Sequence, residues 1–312
     1  MRAHADHAPF CWQRAAPPVR LTAWLVLIAT LLLWSGNWIV ARAVREAITP
    51  GFATVGRLLI VLAILLPFTA GGLARKLGAL SARDWQVLAA LGFTGGGLHL
   101  GLQWLAMHYT TATSGLLYLS TSPIFILLLA IPLGERIGLA QWAGVLVSFA
   151  GVALIATQGD LRPVSFNVGD LMALASMMLW AGYTVLLRVR RDGLGMLELL
   201  TMVCAFGLVF MAPWVALEAG RLALTPAGAA AVVYSAIGAL LLAYAGWSYV
   251  VTRLGAARAG VTLHLMPALG ALLSALFLAE YPSWYHFAGI TLILTGVAVS
   301  SGWLPYRRIG RQ

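Results

Sequence analysis

Leu33-Trp34-Ser35-Gly36-Asn37-Trp38-Ile39-Val40-Ala41-Arg42 lies early in the chain, and Leu179-Trp180-Ala181-Gly182-Tyr183-Thr184-Val185-Leu186-Leu187-Arg188 follows it 146 residues later. Leu, Trp, Gly and Arg coincide at that one offset. Pro123, twelve residues before Glu135, is answered by Pro267, thirteen before Glu280. Gly144 and Gly151 are answered by Gly289 and Gly296 at an offset of 145. Matches in this order read as an internal duplication.

The repeated unit is apolar. Of 312 residues, 61% are hydrophobic and 10% charged, against about 25% charged in a soluble protein. A chain that faces hydrocarbon is apolar outside as well as inside. A spanning helix needs about 20 mainly apolar residues, which predicts spans near 21–43, 50–71, 85–107, 111–133, 138–157, 168–188, 195–217, 228–252, 259–279 and 284–304. The fold class is therefore an all-α membrane protein of ten transmembrane helices. Five spans per repeat is an odd number, so the second copy crosses the membrane in the opposite sense. The organisation expected is a tail at 1–20, a first five-helix repeat at 21–157, an inverted second repeat at 158–304 and a tail at 305–312.

Charge agrees with this parity. With the N-terminus in the cytoplasm, 15 basic residues fall on the cytoplasmic side and 4 on the other, with Arg57 inside a span. Basic residues concentrate inside in this way, which predicts both termini cytoplasmic; nineteen of the twenty basic residues are Arg, and with abundant Ala and Gly this composition suggests a bacterial plasma membrane. The net charge of +10 is then a feature of topology, and no nucleic-acid partner is expected. Residues 1–20 are too polar for a signal-peptide core. Cys11 lies in that tail and Cys204 within an apolar span, so no disulfide framework is expected.

These residues resemble the drug/metabolite transporter superfamily in its ten-helix EamA branch. The resemblance is carried by Leu33-Trp34, Arg57, Ala112-Thr113-Ser114-Gly115, Pro123 and Gly134-Glu135-Arg136. The second copy departs from it, with Leu278-Ala279-Glu280-Tyr281 at the last position. Within the family, Trp180 and Ala243-Tyr244-Ala245-Gly246-Trp247 look like bacterial exporters of aromatic and other neutral amino acids. The resemblance implies a transporter of small metabolites and not an enzyme.

Inverted repeats commonly hold a substrate near the midplane between the halves, where polar side chains turn inward. The residues expected to bind substrate are Trp34, Asn37 and Trp38 in the first span, His99 and Gln103 in the third, Ser120 in the fourth, Trp180 and Tyr183 in the sixth, Tyr244 and Trp247 in the eighth and His264 in the ninth. Gly92, Gly96, His99 and Gln103 share one face of a regular helix. Gly96, Pro123 and Pro267 are the expected hinges. Arg57 is read as snorkelling to the interface or making a structural hydrogen bond, with attraction of a substrate carboxylate as the other reading. Gly144, Ser148 and Gly151, with Gly289 and Gly296, suggest close packing, as scaffold or as a dimer contact.

No acidic residue lies at a midplane position, which predicts facilitative alternating access; His99 or His264 leaves proton coupling open. The missing His-Glu-x-x-His and clustered Asp argue against a membrane enzyme, and a channel would show charge rings or a filter loop. The partners expected are a small-molecule substrate and membrane lipid, with the chain a monomer or a weak homodimer. No cofactor or metal is called for.

Overall fold

The structure is a computed structural model that describes residues 21–110, 118–119, 121–133, 137–157, 159–160, 167–221, 225–266, 269 and 283–301. Ser114, Ser120, Glu135, Pro267 and Glu280 lie outside the described residues. Within them ten helices follow in order. These are α1 (Leu21–Ala43), α2 (Pro50–Lys76), α3 (Ala82–Leu91, a π segment Gly92–Gly97, then Leu98–Tyr109), α4 (Ser122–Ala130) and α5 (Leu139–Ala156). After them come α6 (Val168–Val189), α7 (Met196–Glu218), α8 (Pro226–Leu254, with a π segment Ser235–Leu242), α9 (Ala256–Val261) and α10 (Trp284–Ser301).

The helices start where the sequence supplies caps. Ser81 Oγ accepts from the Asp84 amide at 3.2 Å, and Asp84 Oδ2 accepts from the Ser81 amide at 2.9 Å. Asn167 and Asp170 make the same reciprocal pair at α6. Such boxes satisfy N–H groups that the first turn leaves open. At α8, Thr225 Oγ1 accepts from the Gly228 amide at 3.0 Å and Pro226 follows the cap. Gly255 has φ +89°, which a side chain would disfavour, and lets α8 turn into α9 within one residue.

The packing obeys a twofold exchange of the two halves. Helix α2 packs on its repeat equivalent α7, and α5 on its equivalent α10. Contact of α1 with α8 is mirrored by contact of α6 with α3. The α5–α10 seam shows the inversion directly. A Cβ built on Gly144 would lie 2.5 Å from the Gly296 carbonyl oxygen, and one on Gly151 2.6 Å from that of Gly289. Numbers rise along α5 while they fall along α10, so the equivalent helices run antiparallel. The glycine faces are consumed by this contact within the chain.

Cross-loop bonds test the span list. Lys76 binds Glu198 at 2.5 Å, joining two segments assigned to the cytoplasmic side. Thr49 binds Glu218 at 2.5 Å and Thr110 binds Asp170 at 2.5 Å, each joining segments assigned to the other side. Leu25, Leu59, Phe68, Leu146, Val209 and Phe287 point outward and exposed, as a lipid-facing surface requires.

Candidate functional site

Helices α1, α3, α6 and α8 meet at the centre, and their aromatic residues converge there. The repeat partners Trp34 and Trp180 touch edge to face, with centroids 4.9 Å apart and planes at 83°. Tyr244 lies 5.3 Å from Trp180 and 6.1 Å from Trp34. Edge-to-face geometry places the positive rim of one ring on the negative face of the next. The cluster therefore holds its shape without filling the space beside it. That space is a cavity walled by these rings and by Leu100, Met177 and Leu240, an apolar lining of the kind usual for small-molecule sites.

Polar groups enter the same cavity. His99 Nδ1 sits 2.9 Å from the Ser176 carbonyl oxygen and 2.8 Å from Ser176 Oγ. A carbonyl only accepts, so in the neutral ring Nδ1 carries the proton and Nε2 keeps a lone pair. Ser176 Oγ donates back to the His99 carbonyl at 2.9 Å, clamping α3 to α6. Asn37 Oδ1 accepts from Ser235 Oγ at 2.6 Å, leaving its amide N–H₂ as a donor. Gln103 and Arg57 also line the cavity. Arg57 Nη2 donates to the Leu100 carbonyl at 3.0 Å and to Thr54 Oγ1 at 3.3 Å. Its stem does not carry the charge to the interface: Arg57 is 1% exposed. Of the two favoured readings of this residue, the structural hydrogen bond is present and snorkelling is not.

The two π segments are equivalents in the repeat, and both are pinned by cavity aromatics. In α8, the Ala243 amide bonds to Gly238 and Leu240 and not to the Ala239 carbonyl. Trp34 Nε1 donates to that Ala239 oxygen at 2.9 Å. In α3, Tyr244 Oη donates to the Gly95 carbonyl at 2.7 Å. A π turn shifts the backbone bonds by one residue and is frequent at functional sites. Here it turns one carbonyl of each half toward the other half's aromatic donor.

Two successive stretches, residues 20–157 and 167–302, match the EamA-like transporter family. The chain belongs to that family. Two matches in one chain are its duplicated halves, and the protein is a multi-pass membrane transporter, not an enzyme. It is 30% identical over 287 residues to an uncharacterized transporter of Archaeoglobus fulgidus, covering 89% of this chain and 96% of that protein. It is 27% identical to a protein of Streptantibioticus cattleyicolor named "probable terminal-alkyne amino-acid exporter", over 92% of this chain and 94% of the relative. The uncharacterized transporter YetK of Bacillus subtilis is 26% identical, over 90% and 87%. A crystal structure at 24% identity superposes with a TM-score of 0.68, over 90% of this chain and 97% of its own. It has the same fold.

Of the residues expected at the site, Trp34, Asn37, Trp38, His99, Gln103, Trp180 and Tyr244 line the cavity. Tyr183 and Trp247 stand one layer behind it. Tyr183 stacks 5.2 Å from Trp180, and Trp247 lies 5.4 Å from Trp34 with its Nε1 on Thr184 Oγ1 at 3.2 Å. His264 is buried, but its neighbours Leu263 and Met266 reach the wall and it does not. Thr262–His264 is a 3₁₀ turn, which rotates farther per residue than an α-helix, so counting back from Pro267 misplaces the face. Ser120 and Pro267 fall outside the described residues.

One further expectation changes. The common face of Gly92, Gly96, His99 and Gln103 assumes an unbroken helix, and the π segment adds a residue to the turn. Gly92 packs on Phe206 and Gly96 on the Val203 carbonyl of α7, while His99 and Gln103 turn to the cavity. Pro123 stands in the first turn of α4, where its missing N–H costs nothing, and Thr121 just before that turn donates from its Oγ1 to the Tyr118 carbonyl at 2.6 Å. Sequence reasoning also passed over the apolar wall of Leu100, Met177, Ala239 and Leu240. Those residue types are indistinguishable from lipid-facing ones until the helices are packed.

Proposed function

We propose that the protein exports amino acids, aromatic or otherwise neutral, by facilitative alternating access. The observation that carries the reading is the central cavity itself. Trp34, Trp180 and Tyr244 form an apolar wall beside His99, Asn37, Gln103 and Arg57. The name of the relative from Streptantibioticus cattleyicolor supports the substrate class. A flat apolar side chain can lie on the rings while its polar end meets the hydrogen-bonding groups. Tyr183 and Trp247 then act on the cargo through the rings they support.

In this reading the halves 21–157 and 158–304 rock about the shared site, with Gly96, Pro123 and Pro267 as bending points. The membrane is the bacterial plasma membrane and both termini are cytoplasmic, as the 15-to-4 charge bias favours. Energy comes from the substrate gradient, since the acidic side chains of the sequence lie in tails, loops or terminal turns of the spans. The test is flux into liposomes carrying purified protein and labelled amino acids. Saturable uptake with counterflow is expected; uptake equal to that of empty liposomes for every amino acid would remove the substrate class.

A further inference from the structure

Arg57 is the cavity residue whose chemistry the chain leaves incomplete. Its Nη2 has two acceptors, the Leu100 carbonyl and Thr54 Oγ1. Thr54 Oγ1 already donates to the Pro50 carbonyl at 2.8 Å. Nε is buried with no partner among the described residues. The guanidinium lies 5.4 Å over the Trp104 ring. Among the described residues the ion pairs join Arg45 with Glu46, Lys76 with Glu198 and Arg190 with Asp192, and none reaches Arg57. A charge held inside a membrane protein without a countercharge is strongly disfavoured. Neutral hydrogen bonds to one carbonyl and one hydroxyl do not replace it.

The geometry points to a carboxylate on the cargo as the missing partner, and we infer that Arg57 is its anchor. The planar fork of a guanidinium matches the two oxygens of a carboxylate, and such charge-assisted pairs are the strong ones. The inference rests on reading the central cavity as the substrate site, and it narrows the cargo to molecules with a carboxylate and an apolar tail. The tail lies against Trp34 and Trp180. The lone pair on His99 Nε2 and the Gln103 carbonyl oxygen can accept from an ammonium group, so a zwitterion uses more of the cavity than a simple acid does.

The test is ligand-dependent thermal stabilisation of the purified full chain with four probes: L-phenylalanine, 3-phenylpropionate, L-phenylalaninamide and phenethylamine. The wild type is expected to bind the two carboxylates more tightly than the amide or the amine. Arg57→Gln is expected to weaken both carboxylates about 10- to 100-fold, the scale of a charged hydrogen bond, and to leave the amide within about twofold, because the amide makes no charge-assisted pair. Arg57→Lys, which keeps the charge and loses the fork, falls between; it also serves if the Gln variant does not fold.

A wild type that prefers the amide or amine, or that binds no carboxylate, overturns the anchor. Equal weakening of amide and carboxylate in both variants also overturns it, since a structural role would act on all probes alike. Arg57-dependent binding of phenylpropionate without phenylalanine keeps the anchor and removes the amino-acid reading. Phenylalanine binding that ignores both substitutions does the reverse.

Discussion

The α5–α10 seam and the central cavity are both places where equivalent helices or residues of the two repeats meet, yet they are built from opposite materials. At the seam, backbone lies on backbone: Gly144 faces Gly296, Gly151 faces Gly289, and Ser148 Oγ reaches the Ile293 carbonyl at 3.4 Å. At the cavity, large rings meet edge to face and leave space between them. In lipid there is little hydrophobic drive between helices, so close approach of small residues holds a seam together. Rigid aromatic side chains keep a wall apart. The same twofold relation thus yields a fixed joint on one side of the molecule and a vestibule at its centre.

The sharpest way to break this contrast is to place a side chain in the seam. Gly296→Val puts atoms against Gly144 and Ser148, where the neighbours include backbone that cannot swing aside. Overpacking of this kind costs about 1–3 kcal/mol or more, and loss of monodisperse protein in detergent is the expected result. Trp180→Ala should act the other way. It enlarges a cavity that is already open, so folded protein is recovered while transport in liposomes falls by about tenfold or more, the scale of a lost hot-spot aromatic. A variant with normal flux would remove Trp180 from the site.

Trp34→Phe keeps a ring at the wall but removes the indole bond to the Ala239 carbonyl. The expected loss is about 0.5–1.5 kcal/mol of stability, read as a lower unfolding temperature, with flux reduced less than in Trp180→Ala. If stability does not change, the pinning of the π segment by the indole is not a stabilising contact. The smallest effect belongs to the rim. Lys76 is 43% exposed and pairs with Glu198, and Lys76→Ala should change stability by only about 0–1 kcal/mol and leave flux unaltered.

Much of the fold was legible before the structure. The offset joining Leu33-Trp34 to Leu179-Trp180, with Gly144/Gly151 against Gly289/Gly296, announces two copies, and the odd span number makes them antiparallel. The candidate site was legible in part. Trp34, Trp180, His99 and Gln103 are conspicuous because large or polar groups deep in a span must face inward. The common face of α3 and the direction of His264 were not legible, because a face is computed from a constant turn and both stretches depart from 3.6 residues per turn. Arg57 was legible as an anomaly, a basic residue within a span, but its direction was not.

Sequence alone determined that this chain lies in lipid, how many times it crosses and that its halves are inverted copies, since each follows from hydropathy, charge bias and repeat offset, which are summed over many residues. Tertiary structure decided which groups meet. The indole contact, the two π segments and the burial of Arg57 each depend on ångström-scale rotation about a helix axis, and one inserted residue in a turn moves a side chain by about 100°.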